Sequence, residues 1–198
     1  MKTESLAAIP VSDFLARLAS NAPTPGGGAA AALVGAVAAG VARMVGAYTI
    51  GRPKYAANES ELRAMDAELE RAQAALQAMI DEDAAAYEVL SAALKLPKTD
   101  PERAPALERA ASLAAAVPLE VALIAARIGG YARRLATIGN PMLRSDAECA
   151  EHFALAALRS AVANVRTNLP LMHTDDRGRF TTELEKLAGS GLLGESVA

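Results

Sequence analysis

One aspartate interrupts an apolar stripe in the longest helix that this sequence predicts. Leucines recur at intervals of seven or fourteen residues, at Leu62, Leu69, Leu76 and Leu90. Asp83 stands where another leucine of this series would fall. Positions seven apart lie on nearly one face of a helix, so the stripe predicts a buried carboxylate whose pKa can be tuned for proton transfer. A structural ion pair with an arginine, or rotation of the stripe towards solvent, would account for the same pattern.

A second carboxylate, Asp81, precedes Asp83 by only two residues. Two residues correspond to about 200° of rotation around a helix, so one straight helix cannot direct both side chains at one small site. The pattern therefore favours Asp83 over Asp81 as the distinctive carboxylate.

A polar loop with the sequence GNPMLRSDAE, at 139–148, precedes another predicted helix. Ser145 and Glu148 have the spacing of a capping box, and Asp146 suits the positive end of the helix dipole. Arg144 adds an available cation beside them. These residues form either a helix cap or a second group of charged side chains at a site.

The helix after this loop carries a polar line on a face that is otherwise built of small residues. Ser160, Asn164 and Asn168 recur at every fourth position. Amides donate and accept hydrogen bonds at once, as the recognition of a heterocycle requires. Hydrogen bonds between helices are the alternative interpretation.

The stretch PTPGGGAAAALVGAVAAG, at 23–40, predicts a loop without large side chains that leads into an alanine-rich helix. Such a loop lets a ligand approach the main chain, and the first N–H groups of the helix favour an acceptor or an anion. Small residues at helical spacing within the run predict a helix that packs closely against its neighbours. The apolar run 29–42 is shorter than the ~20 residues of a membrane span.

Several cations lie at predicted helix ends or in loops, namely Arg52, Lys54, Lys95 and Lys98. Each alone is typical of a solvated surface charge. Together they are able to receive an anionic tail of a ligand.

The elements that must position these residues are all helices. The chain shows no convincing run of alternating strand residues, and proline and glycine clusters separate long stretches of helical pattern. The sequence predicts an all-α protein, an antiparallel bundle of long helices in a single domain that spans 1–198, with a core at about 11–170 and a tail at 171–198. Helices are predicted at about 11–20, 28–50, 56–96, 105–116, 145–169 and 181–187, with another that continues to 138 after a first turn or kink at Pro118.

Composition limits the classes of function. A net charge of −3 over 198 residues argues against a general attraction to nucleic acid. One cysteine, Cys149, excludes an intrachain disulfide, and with only two histidines it makes a zinc site improbable. The first ten residues lack the apolar core of a signal peptide, so we expect a cytoplasmic protein that binds no membrane.

Several stretches, in this order and spacing, resemble the folate cyclodeaminase/cyclohydrolase family. They cover about residues 11–170, and the loop of proline and glycine, the acidic motif and KLPK are specific in combination. The sequence departs from the family at Pro141 and Glu148, and its end after Pro170 is short. The matching stretches are VSDFLARLASNAPTPGGGAAAA, TIGRPKY, DEDAAAYE, KLPK, VPLEVA, GN followed by RSD, and NVRTNL.

The resemblance implies an all-helical homodimer that binds a reduced folate and needs no metal, nucleotide or other cofactor. It implies hydrolysis of 5,10-methenyltetrahydrofolate to 10-formyltetrahydrofolate. Formiminotetrahydrofolate cyclodeamination, and a non-catalytic helical oligomer that binds folate, are the alternatives. The site residues carried over from the family are Pro25, Gly26, Gly27, Gly28, Arg52, Asp81, Asp83, Lys95, Lys98, Asn140, Arg144, Ser145, Asp146, Asn164 and Asn168.

Chemistry then suggests a role for each group of these residues. Asp83, or alternatively Asp146, activates water and favours the cationic methenyl carbon. The glycine loop lies against the substrate, and Asn164 and Asn168 bond the pterin. The cations Arg52, Lys95, Lys98 and Arg144 receive the glutamate tail.

Overall fold

The computed structural model describes residues 4–189, and within this range the chain forms α-helices and turns without a β-strand. The all-α prediction is confirmed. The single domain stays a prediction, and residues 190–198 of the predicted tail lie outside the described range. The helices are α1 (Val11–Leu18), α2 (Gly27–Ala47), α3 (Glu59–Lys95), α4 (Arg103–Ile138), α5 (Arg144–Asn168) and α6 (Thr174–Gly189), with short 3-10 turns at Pro53–Asn58, Pro141–Leu143 and Leu169–Leu171.

Helix α2 packs against α3, α4 and α5, and its composition explains how three neighbours fit around it. Its buried positions are almost all alanine or glycine. At Gly35 an added Cβ would lie 3.1 Å from a methyl group of Leu76, so the absent side chain lets α3 approach α2. Short side chains bring the helix backbones close together and leave few gaps.

Two helices, α2 and α4, are long and apolar enough to cross a membrane by length and composition alone. Buried residues make up 56% of the most apolar window of α2 and 44% of that of α4. The composition of α2 thus has an explanation in its packing against neighbouring helices, as the sequence predicts.

Helix α3 confirms the leucine stripe. Leu62, Leu69 and Leu76 are at most 1% exposed, and Leu90 is 6% exposed. These side chains face α2 and α4, which are the main partners of α3. Asp83 therefore sits on the inward face of a core helix, between buried leucines.

Helix α4 passes through Pro118 without a break, which differs from the interruption that the sequence predicts. Proline lacks the N–H that would bond the carbonyl four residues earlier. That carbonyl belongs to Ala114, and it accepts a hydrogen bond from the Asn168 side chain of α5 at 3.4 Å. A donor from another helix thus satisfies the group that the proline leaves without a partner.

Helix α6 is longer than the predicted 181–187. Arg177 near its start donates hydrogen bonds to the carbonyls of Leu169, Pro170 and Met172, where α5 ends. These bonds anchor the start of α6 to the turn after α5. Local sequence pattern does not show them, so the prediction made the helix too short.

Candidate active site

A cavity of about 370 Å³ opens where α2 begins. Five parts of the fold contribute to its wall: the loop before α2, the first residues of α2, the second half of α3, one position of α4, and the end of α5 with the turn after it. Its lining residues are Pro23, Thr24, Gly26, Gly27, Gly28, Asp83, Tyr87, Leu90, Leu94, Ala114, Asn164, Thr167, Asn168 and Leu171.

The first turn of α2 has no cap of its own. Gly26 occupies the N-cap position and offers no side chain. Asp83 of α3 supplies the missing acceptor, because its Oδ2 accepts a hydrogen bond from the Ala29 N–H at 2.8 Å. The positive end of the helix dipole and the N–H groups without partners favour a carboxylate at this position.

Burial raises the pKa of Asp83, and the hydrogen bond from the Ala29 N–H lowers it by less. Among the described residues, Asp83 makes no ion pair, so an arginine partner does not explain this carboxylate. The stripe has not rotated to solvent either, since Leu76 and Leu90 on either side are buried. Asp83 is thus a carboxylate with a raised pKa that lines a cavity, a pattern typical of functional groups.

Two glycines let the loop approach the side chains opposite. An added Cβ at Gly28 would lie 2.0 Å from Oδ1 of Asp83. At Gly27 it would lie 3.4 Å from the Asn164 amide nitrogen. The glycine loop therefore brings main chain, a carboxylate and an amide into direct contact.

The two asparagines of the polar line contribute acceptors to the cavity. The Asn164 amide nitrogen donates to the Ser160 carbonyl at 2.8 Å, and that of Asn168 donates to the Asn164 carbonyl at 3.1 Å. With each nitrogen engaged by backbone, the amide oxygens remain as acceptors. Asn168 also donates a hydrogen bond to Ala114 of α4, so the alternative prediction of hydrogen bonds between helices is confirmed for this residue.

Sequence reasoning missed Tyr87 as a site residue. It lies one helical turn after Asp83, is 41% exposed and lines the cavity. Among the described residues of the cavity wall it is the one aromatic side chain. In the sequence, Tyr87 stands seven residues after Ile80 and seven before Leu94, and an aromatic residue in such an apolar series is more typical of a core than of a site.

The structure places Asp81 outside the cavity. Its Oδ2 accepts a hydrogen bond from the Ser5 hydroxyl at 2.5 Å, and its Oδ1 accepts one from the Leu6 N–H at 2.6 Å. Asp81 thus binds residues 5 and 6 while Asp83 binds residue 29, and the two side chains point in different directions, as the 200° separation predicts. Both oxygens of Asp81 already have protein donors in this subunit.

The end of α3 carries Lys95 and Lys98 next to the cavity wall. Leu94 lines the cavity, and the two exposed lysines follow it at the end of the helix and in the next loop. Neither lysine forms an ion pair within the described part of the chain. Both cations are thus available to an anionic group at this side of the cavity.

Pro25 is buried in the loop before α2 and does not line the cavity, while five other predicted residues gather at the other end of α2. The N–H of Asn140 donates to the Thr49 hydroxyl at 3.1 Å, which joins the loop before α5 to the end of α2. Thr49 is fully buried and donates to the Val45 carbonyl. The residues at this end are Arg52, Asn140, Arg144, Ser145 and Asp146.

The predicted capping box at Ser145 and Glu148 is wrong. The N-cap residue of α5 is Leu143, and no side chain caps that end. Glu148 instead accepts from Arg144 Nε at 3.0 Å. The helix begins earlier than the pattern indicates, so Ser145 lies inside its first turn, and Asp146 has no hydrogen bond or ion pair from its side chain within residues 4–189.

The two groups of residues are too far apart to act on one atom within a subunit. Asp146 and Asn164 belong to the same helix, and 18 residues of helix span about 27 Å. The predicted residues that line the cavity with Asp83 are Gly26, Gly27, Gly28, Asn164 and Asn168. Within residues 4–189, no three histidine, cysteine, aspartate or glutamate side chains converge in a way that could hold a metal ion.

Comparison with known proteins identifies the family to which the chain belongs. The family model described as formiminotransferase-cyclodeaminase matches residues 10–186. The chain is 38% identical over 192 residues to a methenyltetrahydrofolate cyclohydrolase of Methylorubrum extorquens, a match that covers 95% of this chain and 90% of that protein. It is 35% identical over 177 residues to the formimidoyltransferase-cyclodeaminase of Sus scrofa, which covers 87% of this chain but 32% of that longer protein.

The fold has a solved counterpart. The crystal structure of formiminotetrahydrofolate cyclodeaminase from Thermotoga maritima matches with a TM-score of 0.86 and 28% identity, over 94% of this chain and 92% of that one. The agreement spans the whole arrangement of helices rather than one motif. By family model, by sequence and by fold, the chain belongs to the formiminotransferase-cyclodeaminase family.

Proposed function

We propose that the protein is a methenyltetrahydrofolate cyclohydrolase, which hydrolyses 5,10-methenyltetrahydrofolate to 10-formyltetrahydrofolate. The observation that carries this proposal is Asp83, a carboxylate with a raised pKa that lines a cavity beside bare main chain. The similarity to the Methylorubrum cyclohydrolase extends over nearly the full length of both chains and supports the same reaction.

The substrate carries a cationic amidinium carbon between N5 and N10, and Asp83 stabilises that charge. As water adds to this carbon, Asp83 accepts a proton from it. The C–N5 bond of the adduct then breaks, Asp83 returns its proton to N5, and the hydroxyl proton leaves to solvent. The product is 10-formyltetrahydrofolate, and one proton is released overall. The reaction needs no redox or group-transfer cofactor.

The cavity wall offers groups that suit each part of a folate. The amide oxygens of Asn164 and Asn168 accept hydrogen bonds from the N–H edge of the pterin. Tyr87 offers a ring for stacking against a flat substrate. Lys95 and Lys98 receive the carboxylates of the glutamate tail, which extends towards the end of α3.

Formiminotetrahydrofolate cyclodeamination is the second candidate, favoured by the likeness to the Thermotoga enzyme. In that reaction N10 closes onto the formimino carbon and ammonia leaves. The tetrahedral centre forms at the same carbon, so the same cavity can serve it. Release of ammonia from the formimino substrate distinguishes the two reactions.

The decisive experiment follows the loss of methenyltetrahydrofolate absorbance with wild type and Asp83→Asn side by side. The buffer must keep spontaneous hydrolysis slow, and circular dichroism must show that both proteins are folded. We expect acceleration by wild type and its loss in the variant. No acceleration with either substrate would contradict an enzyme and favour a non-catalytic protein that binds folate.

We also propose that the protein acts as a homodimer through the exposed face of α2. Val37, Met44 and Tyr48 are 45%, 37% and 56% exposed, and with the half-buried Val41 they have the i, i+4, i+7, i+11 spacing of a helix-pairing seam. Beside this seam lies an apolar cavity of about 310 Å³, lined in part by Val37, Val41 and Val11 of α1. We infer that a second copy of this chain packs against the seam.

Pairing through this seam would bring the two separated groups of site residues together. Gly28 and Arg52 are each twelve residues along the chain from Gly40, which lines the apolar cavity beside the seam. If α2 pairs with its copy in opposite directions across Gly40, the Arg52 and Asp146 end of one subunit comes beside the Gly28 and Asp83 end of its partner. Because a two-fold contact is reciprocal, the dimer has two such composite sites.

The antiparallel bundle and a cytoplasmic location complete the proposal. A single exposed cysteine, Cys149, suits a reducing compartment. The net charge of −3 gives no reason to expect nucleic acid as a partner.

A further inference from the structure

Two aspartates of one α3 turn hold the two ends of a single segment of the chain. Asp81 accepts hydrogen bonds from the Ser5 hydroxyl at 2.5 Å and the Leu6 N–H at 2.6 Å. Asp83 accepts one from the Ala29 N–H at 2.8 Å. The segment at 5–29, which includes α1 and the glycine loop, is therefore pinned at both ends to neighbouring positions of one rigid helix.

The pinned segment forms one rim of the active-site cavity. Pro23 and Thr24 line that cavity, and we call these two residues the lip. Between the two anchors, Phe14 is 3% exposed and packs into the core, while Val11 and Leu15 of the same helix are largely exposed. Arg17 pairs with Glu4 at 2.7 Å, so this ion pair joins α1 to the beginning of the segment.

The anchors limit how far the lip can move. Without the bonds to Asp81, the first residues of the segment lose two hydrogen bonds to a carboxylate, the stronger kind in proteins. The ion pair of Arg17 is exposed and contributes little by itself. The segment would then be held by the packing of Leu6, Ile9, Phe14 and Leu18 against the core and by the Asp83 end, and the lip would sample more positions.

We propose that Asp81 is a positioning residue, which sets the lip of the cavity through Ser5 and Leu6 and thereby controls how tightly folate binds. The inference rests on the proposed function for its effect on substrate. The coupling between anchor and lip is a property of the fold and is measurable without substrate. Asp81 takes no part in the proton transfer, which belongs to Asp83.

The test compares Asp81→Ala with Asp81→Asn. In Asp81→Asn the amide oxygen still accepts from the Leu6 N–H, and the amide nitrogen donates to the Ser5 hydroxyl. Glu82→Gln is the matched control, because Glu82 is an exposed carboxylate of the same turn. Hydrogen exchange is measured at 5–9 and at 23–29, and KM and kcat are measured with methenyltetrahydrofolate.

We expect Asp81→Ala to speed exchange in both segments and to raise KM about tenfold, with kcat within about twofold of wild type. Asp81→Asn and Glu82→Gln are expected to match wild type in both measurements. Faster exchange at 5–9 alone, or a fall in kcat with KM unchanged, would overturn the proposal. If wild type fails to turn over any folate, the proposed function falls, while the exchange at 23–29 still decides whether Asp81 controls the lip.

Discussion

The carboxylate of Asp83 occupies the space that a side chain at residue 28 would need. A Cβ at Gly28 would lie 2.0 Å from Oδ1 and 2.8 Å from Oδ2 of Asp83. The same carboxylate binds the N–H of Ala29, the next residue along α2. Gly28 of α2 and Asp83 of α3 therefore depend on each other, because the carboxylate fits only where residue 28 has no side chain.

Gly28→Ala is expected to displace the carboxylate and lower kcat/KM by about 100-fold, since a shift of about 1 Å in a catalytic group has that effect. Overpacking should also lower the free energy of unfolding by about 1–3 kcal/mol. Gly130→Ala is the control, because a Cβ there meets nothing within 4 Å and Gly130 lies in α4 outside the cavity wall. Turnover and urea denaturation of both variants check this; equal activity in the two would contradict it.

Asp83→Asn is expected to lower kcat by about 10²–10⁴-fold, the usual contribution of a general base. In wild type, kcat should rise with pH through a single ionisation that lies above the ordinary pKa of an aspartate, because burial raises the pKa of Asp83. The pH profile of Asp83→Asn should lack this rise in kcat. A wild-type profile that stays flat from pH 4 to 7 would rule out Asp83 as the base.

The same variant should lose no stability at neutral pH. Since the pKa of Asp83 is raised by folding, the native state binds more protons than the unfolded state, and this group makes stability fall as pH rises from the ordinary pKa through the raised one. Asn keeps an acceptor for the Ala29 N–H without the buried charge. Urea denaturation at pH 4 and pH 7 should show wild type losing more stability than Asp83→Asn between these values; an equal change in both proteins would refute this account.

Tyr87→Leu is expected to raise KM about five- to tenfold, since an aromatic contact contributes about 0.5–1.5 kcal/mol beyond the burial of area. Tyr87→Phe keeps the ring and should stay close to wild type. Phe153→Leu serves as a control for loss of an exposed aromatic, because Phe153 is 40% exposed on α5 and does not line the cavity. Equal KM values in Tyr87→Leu and Tyr87→Phe would exclude stacking.

Met44→Glu is expected to convert the dimer to a monomer and abolish turnover, because it places a charge on the apolar seam. Leu113→Glu is the matched control, since Leu113 is 47% exposed on α4 away from the seam. Sedimentation measures the oligomeric state. A fully active monomer would contradict the composite site.

Mixing two inactive variants tests the composite site directly. If Asp83 of one subunit acts with Asp146 of its partner, a heterodimer of Asp83→Asn and Asp146→Asn retains one intact site. Random exchange of subunits should then restore about a quarter of wild-type activity, since half of the dimers are mixed and each carries one intact site of two. Mixed dimers without activity would place both residues in one subunit's site, and an active Asp146→Asn homodimer would exclude Asp146.

Much of the fold follows from local pattern. The seven-residue leucine series predicts α3, and the alanine-rich run predicts α2, because helix periodicity and propensity are local properties. The break expected at Pro118 fails for a reason that is not local. The Ala114 carbonyl finds its donor on Asn168, more than fifty residues away in the chain.

The sequence predicts a site residue where the residue type differs from the other positions on the same helix face. Asp83 is such a residue, a charge within a leucine series. Tyr87 could not be predicted in this way, because a large aromatic residue fits among the apolar residues at the same seven-residue spacing. The sequence also could not show which end of α5 lies beside Asp83, or that Asp81 binds Ser5, because both depend on how the helices are placed.

The hydrogen bond from the Ala29 N–H to Asp83 allows the ionisation of Asp83 to be measured in the protein without substrate. An amide proton that donates to a carboxylate shifts its magnetic resonance frequency when that carboxylate gains a proton. The Ala29 signal should therefore follow the ionisation of Asp83 in the absence of substrate. One backbone resonance would give the acid–base behaviour of this site independently of any turnover assay.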